Sequence, residues 1–277
     1  MDIVNAAMNR LGHLIISPFA AVPLVGLLLL SALTGVALTW IIGKTSNQRA
    51  LRRAADRARA QVLAIRLFKD DLKVMLGAPL AVMGSSLARC LHTVPSLLVV
   101  AVPMALLFCQ MAVWYQRRPL EPGETAVVRL AIAPDAWQVF RDVSIDAPPG
   151  VEVETPALRD DAEHALFWRI RAGAPVEEPL RWTIDDATFE KRIAIAESPG
   201  RLAPVAPIRP GTGWFDRLVH PLEAGFESTS PVHRIDVTYP SRVVNEVLGY
   251  AVPWWLTFLV VSILVALLSR RWLGVQF

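Results

Sequence analysis

The chain has 277 residues, 53% of them hydrophobic, a mean hydropathy of +0.40 and a formal net charge of +3. That is too apolar for an ordinary soluble domain, and two cysteines exclude a fold built on disulfides. The excess sits in three charge-free blocks, 19–43, 94–116 and 247–269. At roughly 1.5 Å per helical residue, each covers a hydrocarbon core of ~30 Å.

Residues 1–18 place Ile3, Val4, Met8, Leu11 and Leu14 among Asn5, Asn9, Arg10 and His13, ending at Ser17-Pro18. The pattern predicts a short amphipathic helix on the outer membrane surface; a frayed terminus is the alternative. The first span, 19–43, lacks a basic leader and an A-x-A site, so it reads as an anchor and not as a cleaved signal. Its Ser31-x-x-x-Gly35 is a small-xxx-small face, a pattern the third span repeats as Ser262-x-x-x-Ala266.

Residues 44–93 read as a basic helical hairpin. Leu51, Ala58, Ile65 and Leu72 repeat every seven residues, with Ala54, Gln61, Phe68 and Met75 three later, which is a coiled-coil seam. Gly77-Ala78-Pro79 is the expected break, and a second helix from Leu80 carries Met83, Leu87 and Leu91 back to the membrane. Arg49, Arg52, Arg53, Arg57 and Arg59 form a cytosolic basic surface. Topology and anionic lipid explain it, and a ribosomal RNA contact is the sharper alternative.

The second span, 94–116, contains Gln110, the most polar side chain in any span. With Thr34 and Thr39 it either glues helices together or lines a hydrophilic groove. Cys109 lies in this span and Cys90 before it, about 28 Å apart if one helix runs through both, too far for a disulfide.

From residue 117 the pattern changes to alternation. Strands are predicted at 125–132, 137–146, 151–155, 164–171, 179–184 and 187–196, separated by Pro/Gly turns. This suggests a β-sandwich-like domain over 117–198, immunoglobulin-like in outline, with Trp137, Phe140, Phe167, Trp168 and Trp182 as its core. Residues 199–246 are Pro-rich and weakly periodic, with one amphipathic turn at Trp214, Phe215, Leu218 and Val219. The third span, 247–269, is followed by Arg270, Arg271 and a tail to residue 277.

Charge orients the chain. Residues 44–92 carry ten basic and three acidic side chains, whereas 117–246 carry fifteen and twenty-one. Short loops rich in Lys and Arg stay in the cytosol, so the N-terminus and the β-domain lie outside and the C-terminus inside. Arg117 and Arg118 oppose this, two against ten. The expected fold class is therefore a membrane α+β protein with three transmembrane helices, a cytosolic antiparallel coiled-coil hairpin and an extracytoplasmic β-sandwich-like domain.

No HExxH, GxSxG, P-loop or GxGxxG pattern is present, and the five histidines are scattered. No catalytic residue, metal site or cofactor is expected, and the chain does not read as an enzyme. The order of an outside N-terminus, a span, a cytosolic hairpin and two further spans resembles the YidC/Oxa superfamily of insertases. Its reduced three-span members, the archaeal YidC-like proteins and the insertase subunit of the endoplasmic-reticulum membrane complex, are the nearest in outline. The stretches Thr45–Arg53 and Arg66–Leu72 carry most of the similarity.

The resemblance implies a factor that guides hydrophobic segments of client proteins into the bacterial inner membrane. Its partners would be lipid, clients and the ribosome, not DNA. A structural or assembly subunit of an envelope complex, binding a partner subunit through the β-domain, is the alternative. A small-molecule transporter is a weaker third option, disfavoured by uncharged spans.

Overall fold

The computed structural model describes residues 2–45, 53, 56, 59–60, 63, 72–139, 143–184 and 187–275. They fall into two compact units, one formed by 1–26 with 106–254, the other by 27–105 with 255–277.

In the first unit, α1 (Asp2–Ile16) ends in a 3-10 turn at Ser17–Phe19. Pro18 has no N–H with which to continue the α-helical ladder, so the chain tightens and turns. The next helix, α2 (Pro23–Thr45), begins with proline at its first position, where the missing donor costs nothing. The first span therefore starts four residues later than the expected 19, because 17–22 is used as a turn.

Helix α3 (Leu72–Tyr115) is continuous for 44 residues. At roughly 1.5 Å per residue it is about 66 Å long, twice the hydrocarbon core, and only Leu97–Tyr115 is its candidate span. The break expected at Gly77-Ala78-Pro79 does not occur; the helix runs through it, and through Pro95 and Pro103. A proline removes one ladder hydrogen bond, and a long helix absorbs that loss as a local bend. An antiparallel turn at 77–79 is thus excluded. The seam positions Leu51, Ala54, Ala58, Gln61, Ile65 and Phe68 lie outside the described residues.

The β-domain contains two antiparallel sheets. The larger has the order β3 (Val151–Val153), β5 (Ala165–Ala172), β1 (Thr125–Ile132), β9 (Val232–Val237), β8 (Ile208–Arg209), with β4 (Leu158–Asp160) also paired to β5. The smaller is β2 (Ser144–Asp146), β6 (Leu180–Ile184), β7 (Ala187–Lys191). Along β1 alternate residues Ala126, Val128, Leu130 and Ile132 are buried, the period-two signature of a sheet with one wet face. Register places Val128 opposite Trp168 and Leu130 opposite Ile235. Trp168 and Trp182, from different sheets, meet with ring centroids 6.1 Å apart and join both inner faces into one core.

Three expectations change here. Among the described residues of the strand expected at 137–146 only Ser144–Asp146 forms, and Trp137–Val139 lie in a turn. Phe167 is on the outer side of β5, since Leu166 and Trp168 take the inward positions; Phe140 lies outside the described residues. The boundary expected at 198 is not structural, because β9 pairs with β1 at the centre of the large sheet. Residues 199–246 belong to the same core through Val205, Phe226, Ile235 and Tyr239. Short helix α4 (Trp214–Val219) also lies in this segment.

A hairpin, β10 (Asn245–Val247) with β11 (Tyr250–Val252), turns through Leu248 and Gly249 at φ 55 and 81. It occupies the first residues expected of the third span. Pro253 keeps Val252 extended, so α5 starts only at Trp254 and runs to Leu273. Gly274, at φ 64, and the Val275 N–H donating to the Arg270 carbonyl close α5 with a left-handed cap. Arg270 and Arg271 are in its last turn, not in a tail.

In the second unit, α2 and α5 run in the same direction side by side. Ser31 meets Ser262, and Thr39 meets Ala266 and Ser269 further along both helices. Three helices, Pro23–Thr45, Leu97–Tyr115 and Trp254–Leu273, are long and apolar enough to cross a membrane.

Candidate functional site

Ser31, Thr39, Gln110, Ser262 and Ser269 of the candidate spans gather at two contacts. The first is the α2–α5 seam. Ser31 Oγ donates to the Leu27 carbonyl at 2.6 Å, while Ser262 Oγ donates across to the Ser31 carbonyl at 3.0 Å. Thr39 Oγ1 donates to Gly35 at 2.9 Å and lies 3.3 Å from the Ala266 carbonyl; Ser269 Oγ reaches Thr39 at 3.2 Å. At Gly35 a Cβ would stand 2.5 Å from the Ser262 carbonyl and 3.2 Å from the Ala266 nitrogen, so only glycine allows this approach. Ser31, Gly35, Ser262 and Ala266 thus come together, with Thr39 among them. Thr34 does not join them: its hydroxyl donates back to Leu30 at 2.7 Å within its own helix. A polar side chain among apolar neighbours needs a partner, and here the backbone supplies it.

The second contact seats α1 on the end of α3. Gln110 Nε2 donates to Asn9 Oδ1 at 2.9 Å, Asn9 Nδ2 donates to the Pro221 carbonyl at 2.8 Å, and Asn5 Nδ2 donates to the Arg217 carbonyl at 2.9 Å. Gly12 lies against Gln110; a Cβ there would be 2.7 Å from Oε1. Gln110 Oε1 is buried without a hydrogen-bond partner among the described residues. His13 meets Trp114 edge to face at 5.8 Å. The stripe Asn5, Asn9, Gly12, Ile16 has spacings of four, three and four, one face of a helix. That spacing was the available signal that α1 turns its polar side inward.

Two backbone bonds add to this seat: Leu202 N–H to the Ala20 carbonyl at 2.8 Å and Val205 N–H to the Val113 carbonyl at 3.0 Å. Arg118 binds Glu124 through both guanidinium arms at 2.7 and 2.8 Å, which holds the Glu124 carboxyl below its usual value. Arg117 donates to the Tyr239 carbonyl at 3.0 Å and to Ser241. The two arginines that oppose the charge-derived orientation are therefore engaged by the β-domain.

Within the β-domain, Lys191 is fully buried and donates to the Ala206 carbonyl at 2.6 Å and to Glu223 Oε2 at 2.5 Å. Burial pushes its ammonium below the ordinary lysine value, and the Glu223 carboxylate opposes that. Glu223 also accepts the Arg192 N–H at 3.0 Å, which ties the 203–224 connection to β7. Tyr239, buried beside it, accepts the Ala194 N–H, and burial raises its phenol. Alternation with Phe189, Ile193 and Ile195 marks Lys191 as an inward position despite its charge.

Of the basic cluster, Arg53 and Arg59 are exposed, and Arg59 lies 3.6 Å from Asp56. Arg49, Arg52 and Arg57 lie outside the described residues. Among the described residues no group of three or more His, Cys, Asp or Glu side chains is placed to hold a metal ion. No family model matches the chain, and comparison with curated proteins and with solved structures found no match either.

Proposed function

We propose that this chain is a structural subunit of a bacterial inner-membrane complex. Its three helices anchor it, and its extracytoplasmic β-domain holds a partner subunit. One observation carries this reading: Thr39, Gln110, Ser262 and Ser269 in the spans are turned onto neighbouring segments of the same chain. Helices sealed in this way anchor a domain well and offer little polar surface to a passing substrate.

The same contacts fasten the β-domain to α1 and to the end of α3. The N-terminus outside and the C-terminus in the cytosol follow from charge placement alone.

The insertase reading is the second. It draws support from α3, which extends 25 residues before its apolar window and leads from the basic segment. A client segment would then meet Arg49–Arg59 before entering the bilayer.

Reconstitution separates the two. The full chain in lipid vesicles is mixed with a ribosome-bound single-span client, and insertion is followed by protease protection. The subunit reading expects no stimulation and, in the native membrane, a complex of fixed stoichiometry that survives deletion of 49–76. Client insertion that needs 49–76 would refute it in favour of the insertase.

A further inference from the structure

Helix α1 is amphipathic in the reverse sense to a surface helix of a soluble protein. Its polar stripe faces protein: Asn5 is only 8% exposed, and Asn9 and Gly12 pack on Gln110. The opposite side carries Ile3, 86% exposed, and Leu14, 73% exposed, with Val4 and Leu11 beside them. Trp214 and Phe215, 67% and 62% exposed, stand on α4, the helix whose Arg217 carbonyl receives Asn5. Large apolar side chains turned outward in this number mark an interface.

What covers them follows from depth. Asn9 and Gly12 meet α3 at Gln110, and His13 meets it at Trp114. Gln110 lies five residues inside the end of the candidate span at Tyr115. At roughly 1.5 Å per residue, that is about 7.5 Å below the span's end. Interfacial helices seat their apolar face ≈ 5–10 Å into the headgroup–acyl boundary. The outward face of α1 thus lies beside a span at the depth where acyl chains begin. Arg10, exposed near this face, has the length to reach a phosphate headgroup.

We propose that α1 and the Trp214-Phe215 tip are seated in the interfacial layer of the bilayer, with acyl chains against Ile3, Leu11, Leu14, Trp214 and Phe215. The polar stripe then serves as the inner face, locking the helix to α3 and to the 217–221 turn. The β-domain gains a second footing on the membrane beside the spans. The inference rests on the helices being membrane spans and is independent of any partner subunit.

The test uses the full chain with Cys90→Ser and Cys109→Ser, carrying one cysteine in place of Leu14, Phe215 or Glu177, each labelled with an environment-sensitive fluorophore. The protein is reconstituted in phosphatidylcholine vesicles that contain a lipid with a nitroxide near the headgroup, and iodide is the aqueous quencher. Near-UV circular dichroism of the buried tryptophans certifies the fold. Labels at 14 and 215 are expected to be quenched by the nitroxide lipid and protected from iodide, and the label at 177 the reverse. Iodide quenching at 14 equal to that at 177 would overturn the proposal. So would shielding from both quenchers, which would mean that a second copy or another protein covers α1.

Discussion

The α2–α5 seam and the seat of α1 on α3 both place polar side chains in apolar surroundings, yet they satisfy them in different ways. In the seam, Ser31, Thr39 and Ser269 each donate to a carbonyl in their own helix, so these hydroxyls keep a bond when the helices part, while Ser262 donates across to α2. In the seat, Asn5, Asn9 and Gln110 find partners 212, 212 and 101 residues away. Those bonds exist only in the complete fold. A seam of self-satisfied hydroxyls sets distance and register, whereas a seat of distant amides makes one arrangement the only satisfied one.

The Lys191–Glu223 pair is the extreme of the second kind and gives the largest expected effect. Glu223→Ala leaves a buried ammonium with only a carbonyl, and we expect a loss of about 3–5 kcal/mol of stability. Thermal melts of the full chain in detergent, read by near-UV circular dichroism, measure it. The double variant Lys191→Met, Glu223→Leu is expected to recover most of that loss. Equal damage in both would mean that the charge pair is not the source.

Gly35→Leu drives a side chain into the Ser262 backbone, where no flexible atom can yield, and overpacking of this kind costs about 1–3 kcal/mol. The expected readout is a lower melting temperature with the β-domain core signal retained.

Asn9→Ala against Ser262→Ala tests the contrast itself. Removing Asn9 strands Gln110 Nε2 inside protein and is expected to cost about 1–3 kcal/mol. Removing the Ser262 hydroxyl should cost about 0.6 kcal/mol, the average for hydrogen bonds between membrane helices. Equal losses would end the distinction.

The smallest effect is a pH dependence. Burial holds the His220 imidazole below its ordinary value of 6.5, against the pull of Asp216 at 3.6 Å. The unfolded chain then takes up its proton first. This part of the stability is complete above 6.5 and is lost as pH falls from there through the depressed folded value. His220→Gln should flatten the acid side of the stability profile; an unchanged slope would assign it to other groups.

Much of this was legible in the sequence because it rests on local rules. Charge-free runs of span length marked three helices, and alternation marked β1, β5 and β6. Glycine and serine at four-residue spacing marked the positions where α2 and α5 meet. What escaped depends on partners far along the chain. β9 hides among prolines, and its place at the centre of a sheet comes from pairing with β1, about a hundred residues earlier. Gly77-Ala78-Pro79 looks like a stop, yet a 44-residue helix carries it. The stripe of Asn5 and Asn9 is visible in the spacing, but the Pro221 and Gln110 partners that turn it inward are not.

The account depends most on the polar residues of the spans being sealed by protein instead of facing a water-filled groove. Cysteine placed at Thr39 or Gln110, in the chain lacking Cys90 and Cys109, should react no faster with a charged, water-soluble thiol reagent in vesicles than a cysteine at Leu259 on the apolar surface of α5. Rapid labelling at both positions, approaching that of a cysteine at Glu177, would reveal an aqueous groove and contradict it.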